Sequence, residues 1–267
     1  MNILICAKQV PDVSLVTVDK EKKCLVLDGV ASVLNPYDGY ALEAAARIKD
    51  SSPETKIIAL TLGDESCKTA LKDCLGIAAD KAYIASSSAL EKSDSLGIAQ
   101  LLAAAIKKIE LEEGAFDAVF CGKQTVDGDG ALVGAELAEL LGYPQVTSAL
   151  SAAAGGDGLV VEKQGESCTE KVSLPLPCVV TFTDPGYEPR FPTLKRKLAA
   201  NRAQIPVYGE DALADADLSC VGEANARCRL VSTYVPVRSG ECVFVSGESK
   251  EETAAKMADI LNATHLI

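Results

Sequence analysis

The residues best placed to do chemistry lie in one stretch, Asp117 to Gly142, which reads DAVFCGKQTVDGDGALVGAELAELLG. An apolar run ends at Cys121, a glycine-rich turn follows, and a helical pattern opens near Gly130. Gly128, Gly130 and Gly134 give G-x-G-x-x-x-G. Backbone N–H groups at such a helix start, helped by the helix dipole, hold a phosphate or pyrophosphate, and glycine lets the anion come close without a Cβ in the way. The spacing is not the Rossmann fingerprint, since the last glycine falls one residue late and the motif follows the fourth strand-like run instead of the first. Nor is it a Walker A loop, because Asp117 stands where the leading glycine belongs. An ordinary β-turn-α connection, with Asp127 and Asp129 as cap and turn residues, is the competing reading. Lys8 and Lys123, both at strand ends, offer positive charge to a phosphate or are simply solvated.

Other chemistry is missing. His265, the single histidine, lies near the C-terminal end of the sequence, and no Ser/His/Asp set can be built around it. There is no G-x-S-x-G, no C-x-x-C and no metal-ligand cluster. No catalytic residue and no metal is expected. A nucleotide binder without acid–base machinery leaves the chemistry to its cofactor.

The elements that must position this loop alternate. Strand-like runs fall at Asn2–Cys6, Lys56–Leu62, Lys81–Ala85 and Asp117–Cys121, with helical runs between them. Asn35-Pro36 opens a helix, with Asn as cap and Pro at its first position. Further helices are predicted over Asp94–Ile109 and Ala131–Leu141. Non-alternating apolar strands separated by helices argue for a parallel sheet covered on both faces. Ligands of such sheets sit outside the carboxyl ends of the strands where strand order reverses. That places Ala7, Lys8, Leu62, Gly63, Gly122, Lys123 and the Asn35–Asp38 helix start around one crevice.

A small hairpin insertion is expected between Leu15 and Leu27. A second hairpin is expected from Gly158–Lys163 and Thr169–Ser173, followed by an apolar strand over Pro177–Thr183 and a basic helical run KRKLAANRAQ. From Ile205 onward core-like runs thin out, with a last helix over Lys250–Asn262. The expected division is a nucleotide-binding α/β domain over 1–205 and an extended C-terminal arm over 206–267 that packs on a partner.

Charge and composition exclude other classes. Lys and Arg number 26 against 38 Asp and Glu, a net −12, which disfavours nucleic acid and anionic membrane surfaces. Aromatic residues make up 4% and Trp is absent, so base-stacking platforms are not expected. Ten cysteines spread through the sequence, several within apolar runs, fit reduced packing residues. Without a signal-like start or an 18-residue apolar run, a soluble cytoplasmic protein is expected.

Four segments carry a family resemblance: CAKQVPD at 6–12, NPYDGYALEAA at 35–45, CGKQTVDGDGALVGAELAELLGYPQVT at 121–147, and LPCVVTFTDPGYEPRFPTLKRKLAANRAQIPVY at 176–208. In order and spacing they resemble the β subunit of electron-transfer flavoproteins. The resemblance covers roughly residues 1–210. It implies a flavodoxin-like or adenine-nucleotide-hydrolase-like α/β fold, a heterodimer with an α subunit, and a C-terminal arm that wraps it. It also implies an adenine nucleotide in this chain, FAD or AMP, and electrons passed between NADH or acyl-CoA-type dehydrogenases and acceptors. In the bifurcating type, the complex with the α subunit oxidises NADH.

With the crevice residues, the resemblance sets the candidate cofactor contacts at Cys6, Ala7, Lys8, Asn35, Pro36, Tyr37, Asp38, Leu62, Gly63, Gly122, Lys123, Gln124, Thr125, Val126, Asp127, Gly128, Asp129, Gly130, Ala131, Leu132, Val133 and Gly134. Tyr187, Glu188, Pro189, Arg190 and Phe191 resemble the loop that docks onto a flavin dehydrogenase. The D-G-D start at Asp127 is similar to FAD-binding, electron-bifurcating members. Gly130 and Leu132 depart from them, standing where Thr and Gln are usual. A non-redox adenine-nucleotide-binding regulatory module of the same fold is the alternative. An NAD-dependent dehydrogenase fits less well, because strand one lacks its glycines.

Overall fold

The apolar run Asn2–Cys6 forms β1, and β2 (Gln9–Pro11), β3 (Thr17–Asp19), β4 (Cys24–Val26) and β5 (Ser32–Leu34) follow it. Then come α1 (Pro36–Ser51), β6 (Lys56–Leu62), α2 (Lys68–Ile77), β7 (Lys81–Ala85), α3 (Ser95–Glu113), β8 (Ala118–Gly122) and α4 (Val133–Leu141). The chain continues through β9 (Gln145–Gly155), β10 (Gly158–Gln164), β11 (Thr169–Pro175), β12 (Cys178–Phe182), α5 (Leu194–Arg202) and β13 (Val207–Tyr208), and ends with α6 (Lys250–Ala263). This is a computed structural model that describes all residues except 20, 23, 91, 92, 215, 230, 232, 233, 235–239 and 241.

Nine strands pair in the order β11-β10-β9-β12-β8-β1-β6-β7-β13. Pairing is parallel from β9 through β13 and antiparallel at the β9-β10-β11 edge. The fold is α/β and flavodoxin-like. β1 shows why: Ile3 and Ile5 enter a core shared with α1, α2 and α5, whereas Leu4 and Cys6 enter one shared with α3 and α4. A strand buried on both faces must be apolar at every position.

β9 is where local sequence misleads. Its Ser-Ala-Leu-Ser-Ala-Ala-Ala run has helical propensity, yet it forms a strand between β10 and β12. The small insertion expected after Leu15 is the β3-β4 hairpin.

Two compact units emerge, Met1–Asp19 with Cys24–Val231, and Lys20–Lys23 with Ser232–Ile267. The first runs past the expected boundary at 205. Val207 and Tyr208 pair with β7, and Leu213 and Val221 are buried in the core shared with α3. In the second, α6 is capped by the Ser249 side chain and buries none of its residues. Among the described residues no helix is long and apolar enough to cross a membrane.

Candidate functional site

β1 leads through α1 to β6 on one side, while β8 lies on the other side of β1 and leads through α4 to β9. Strand order therefore reverses between β1 and β8, where an open α/β sheet leaves a crevice. A cavity of about 480 Å³ fills it, within the roughly 300–1,000 Å³ span of ligand pockets. Cys6, Ala7 and Lys8 line it from the end of β1, Thr61 and Leu62 from β6, and Asp38 from α1. Leu90, Ser95, Ile98 and Leu102 form a wall at α3, and Cys121 through Thr125, Gly128 and Gly130 through Gly134 close the β8 side.

The start of α1 fastens these strand ends together. Asn35 was expected to cap α1, but its side chain makes no capping bond. It is fully buried and reaches across the crevice instead. Its Nδ2 donates to the Gln124 carbonyl at 2.9 Å, and its Oδ1 accepts from the Val126 N–H at 3.2 Å. The Asp38 carboxylate accepts the N–H of Lys8 at 2.7 Å and of Gly122 at 3.0 Å. Burial pushes the Asp38 carboxyl up to about 7 against the pull of those amides. Gly122 is required by contact: a Cβ there would lie 2.3 Å from Asp38 Oδ1 and 2.7 Å from Tyr37 Cβ.

The loop after β8 turns on Thr125, whose carbonyl accepts the N–H of Gly128 at 3.3 Å and of Asp129 at 2.8 Å. α4 opens at Val133, two residues later than the predicted start at Ala131. Asp129 and Ala131 hold left-handed φ values of +50° and +53°, which cost about 1 kcal/mol each and recur at ligand clamps. A Cβ on Gly130 would meet nothing within 4 Å, whereas one on Gly134 would lie 2.4 Å from Thr181 Cγ2. Among the described residues the N–H groups of Gly130 through Gly134 find no protein acceptor.

Charge is arranged unevenly. The Lys8 ammonium pairs with Asp127 at 2.7 Å. Burial raises the Asp127 carboxyl, but bonds from Lys8 and Thr125 outweigh it and hold it below its ordinary value. Lys123 lines the cavity and has no ion-pair partner among the described residues. A bond with the Cys6 thiol, with burial, pushes the Cys121 thiol well up, so it stays protonated.

Sequence comparison gives this geometry its family. The sequence model of the electron transfer flavoprotein domain matches residues 24–213. The chain belongs to the electron transfer flavoprotein family. Its role is flavin-linked electron transfer. Similar chains include the electron transfer flavoprotein subunit beta of Megasphaera elsdenii, 36% identical over 94% of each chain. The caffeyl-CoA reductase-Etf complex subunit CarD of Acetobacterium woodii is 32% identical over the whole of both chains. Protein FixA of Azorhizobium caulinodans is 31% identical over 97% of this chain and 94% of its own.

Within this member of the family, most predicted contacts meet in the cavity wall. Asn35, Pro36, Tyr37, Gly63, Val126, Asp127 and Asp129 do not line it. Asn35 and Asp127 instead bond its frame. Sequence reasoning missed Thr61, Leu90, Ser95, Ile98, Leu102 and Cys121. Ser95, Ile98 and Leu102 do share one helical stripe, and Cys121 stands in register with Cys6.

The predicted docking loop lies against α1. Arg47 stacks over the Tyr187 ring at 3.6 Å, Arg190 bonds Glu43 and Asp50, and Phe191 is 90% exposed.

Proposed function

We propose that the chain is the β subunit of an electron-transfer flavoprotein, holding an adenine nucleotide in the β1-β8 crevice and assembling with an α subunit. FAD is the preferred nucleotide and AMP the alternative. The observation that carries the reading is the run from Gly130 to Gly134, whose N–H groups have no acceptor among the described residues and whose residues line a cavity of about 480 Å³ at the switch point. Five successive amides from Gly130, next to open space beside that glycine, suit phosphate oxygens. Lys123 adds positive charge, and the apolar wall of Leu62, Leu90, Ile98 and Leu102 suits a planar ring.

A bound flavin supplies electron storage and transfer. The residues of this chain bind it, orient it and exclude water. Electrons then pass between NADH or an acyl-CoA-type dehydrogenase and an acceptor. The loop Tyr187–Phe191 meets the dehydrogenase, and residues 206–267 include the arm that engages the α subunit. The cytoplasm is the expected compartment.

Copurification with the α subunit, followed by quantitation of flavin and AMP per heterodimer, tests this. Two flavins support FAD in the crevice and the bifurcating type. One flavin with one AMP supports the AMP-binding type. A heterodimer containing neither overturns the nucleotide assignment.

A further inference from the structure

Arg190 belongs to the loop expected to touch a partner, yet its side chain turns inward. Its Nε and Nη2 donate to the two oxygens of Glu43 at 2.8 and 3.1 Å, and its Nη1 and Nη2 donate to Asp50 at 3.2 and 2.7 Å. Four of its five guanidinium N–H groups are thus used within the chain, and its backbone N–H adds a bond to Glu43 at 3.1 Å. The Glu43 side chain is only 4% exposed. Burial would raise its carboxyl, but Arg190 and Arg47 outweigh that and hold it below the usual range. The loop is pinned on both sides of this clasp. Tyr187 lies under Arg47, and Pro192 packs so closely on α2 that a Cβ on Gly76 would stand 3.1 Å from it. The neighbouring apolar side chains point away: Phe191 is 90% exposed and Leu194 75%.

We infer that Arg190 is a positioning residue, clasped by Glu43 and Asp50 of α1, which presets the loop so that Phe191 and Leu194 are offered to a partner dehydrogenase, and that Arg190 does not touch that partner. The partner rests on the function proposed above, whereas the clasp is internal to this chain. A loop already in its binding shape loses less conformational freedom on docking. The guanidinium sets four N–H groups on two carboxylates in one fixed plane, which the three-donor point charge of lysine does not reproduce, so lysine does not replace arginine here.

The test uses the heterodimer with Glu43→Gln, Arg190→Lys, Arg190→Met, the double variant Glu43→Gln/Arg190→Met, and Asp50→Ala on the exposed rim as a variant that keeps the buried pair. Hydrogen exchange of the amides in 187–194 is read alongside the Kd for a purified acyl-CoA dehydrogenase. Nucleotide content serves as the check on folding. Each change to Glu43 or Arg190 is expected to speed loop exchange at least tenfold and to weaken docking about tenfold. The double variant should also lose about tenfold, because both substitutions break one clasp. Arg190→Lys should not rescue. Unchanged exchange overturns the inference. So does a double variant losing about a hundredfold, since additive loss means that Arg190 contacts the dehydrogenase independently of Glu43. A parent heterodimer that binds no acyl-CoA dehydrogenase counts against the proposed function instead, and loop exchange then decides the clasp.

Discussion

Two buried carboxylates on α1, Asp38 and Glu43, are shifted in opposite directions. Asp38 faces the cavity, is bonded by the amides of Lys8 and Gly122, and is raised to about 7. Glu43 faces the docking loop, is bonded by two guanidinium groups, and is lowered despite its burial. Neutral donors orient a carboxylate without repaying the loss of its hydration, whereas cations do both. One end of the helix therefore frames a space with backbone and small residues. The other end fixes a loop with side-chain charge.

The largest effect expected from this contrast is in pH dependence. The folded state holds the Asp38 proton more tightly than the unfolded state, whose value is 3.8. Its contribution to stability is therefore complete below about pH 4 and declines as pH rises to about 7, by a total on the order of 4 kcal/mol. Glu43 has the opposite sign: its contribution is present above its unfolded value of 4.5 and is lost as pH falls. Denaturant melts of the parent, Asp38→Asn and Glu43→Gln across about pH 4–7 measure both slopes. The parent's advantage over Asp38→Asn should shrink with rising pH, while its advantage over Glu43→Gln should grow. Parallel slopes would contradict the assignment of neutral donors to one carboxylate and cations to the other.

Within the cavity frame, Gly122 and Gly130 separate packing from ligand binding. Gly122→Ala drives a Cβ into Asp38 and Tyr37, with the Asp38 backbone N only 2.9 Å away. It should cost about 3 kcal/mol of stability, measured by thermal or denaturant unfolding. Gly130→Thr meets open space and puts a hydroxyl beside the unpartnered amides. Its expected outcome is unchanged unfolding within about 0.5 kcal/mol, with nucleotide affinity improved about tenfold by one bond to a charged oxygen. Isothermal titration of AMP into nucleotide-stripped heterodimer reads the second number. A loss of affinity in Gly130→Thr would mean that the phosphates do not lie at this amide.

Much of this frame was legible in the sequence, and the reason is local. β1, β6, β7 and β8 are short apolar runs because both faces are buried, and the glycines at 122–134 mark a loop that departs from ordinary turn chemistry. What escaped depends on residues far apart along the chain. Asn35 looks like a helix cap until the Gln124 carbonyl, 89 positions away, comes within 2.9 Å. Leu90, Ser95, Ile98 and Leu102 carry no mark of a site; they become a wall only because α3 crosses back over the sheet to reach β8. β9 is helical by propensity and extended by pairing. Arg190 was legible as a loop residue but not as an inward one, since its partners Glu43 and Asp50 sit on α1.

The smallest effect concerns the outer half of the clasp. Asp50 is 60% exposed at its side chain, against 4% for Glu43, although both meet the same guanidinium. Solvent screens an exposed pair, so it contributes about 0–1 kcal/mol. Removing one partner of a buried pair leaves a desolvated charge and costs about 3 kcal/mol or more. Asp50→Ala should therefore lower stability by less than about 0.5 kcal/mol, and Arg190→Met by several times that amount. Glu43→Gln/Arg190→Met should recover part of the loss, because it also removes the buried carboxylate that Arg190→Met leaves with Arg47 as its one guanidinium partner. Unfolding of the four proteins in the same buffer tests the ranking. Equal losses for Asp50→Ala and Arg190→Met would place the anchor of the loop at the rim of α1 and not at its buried face.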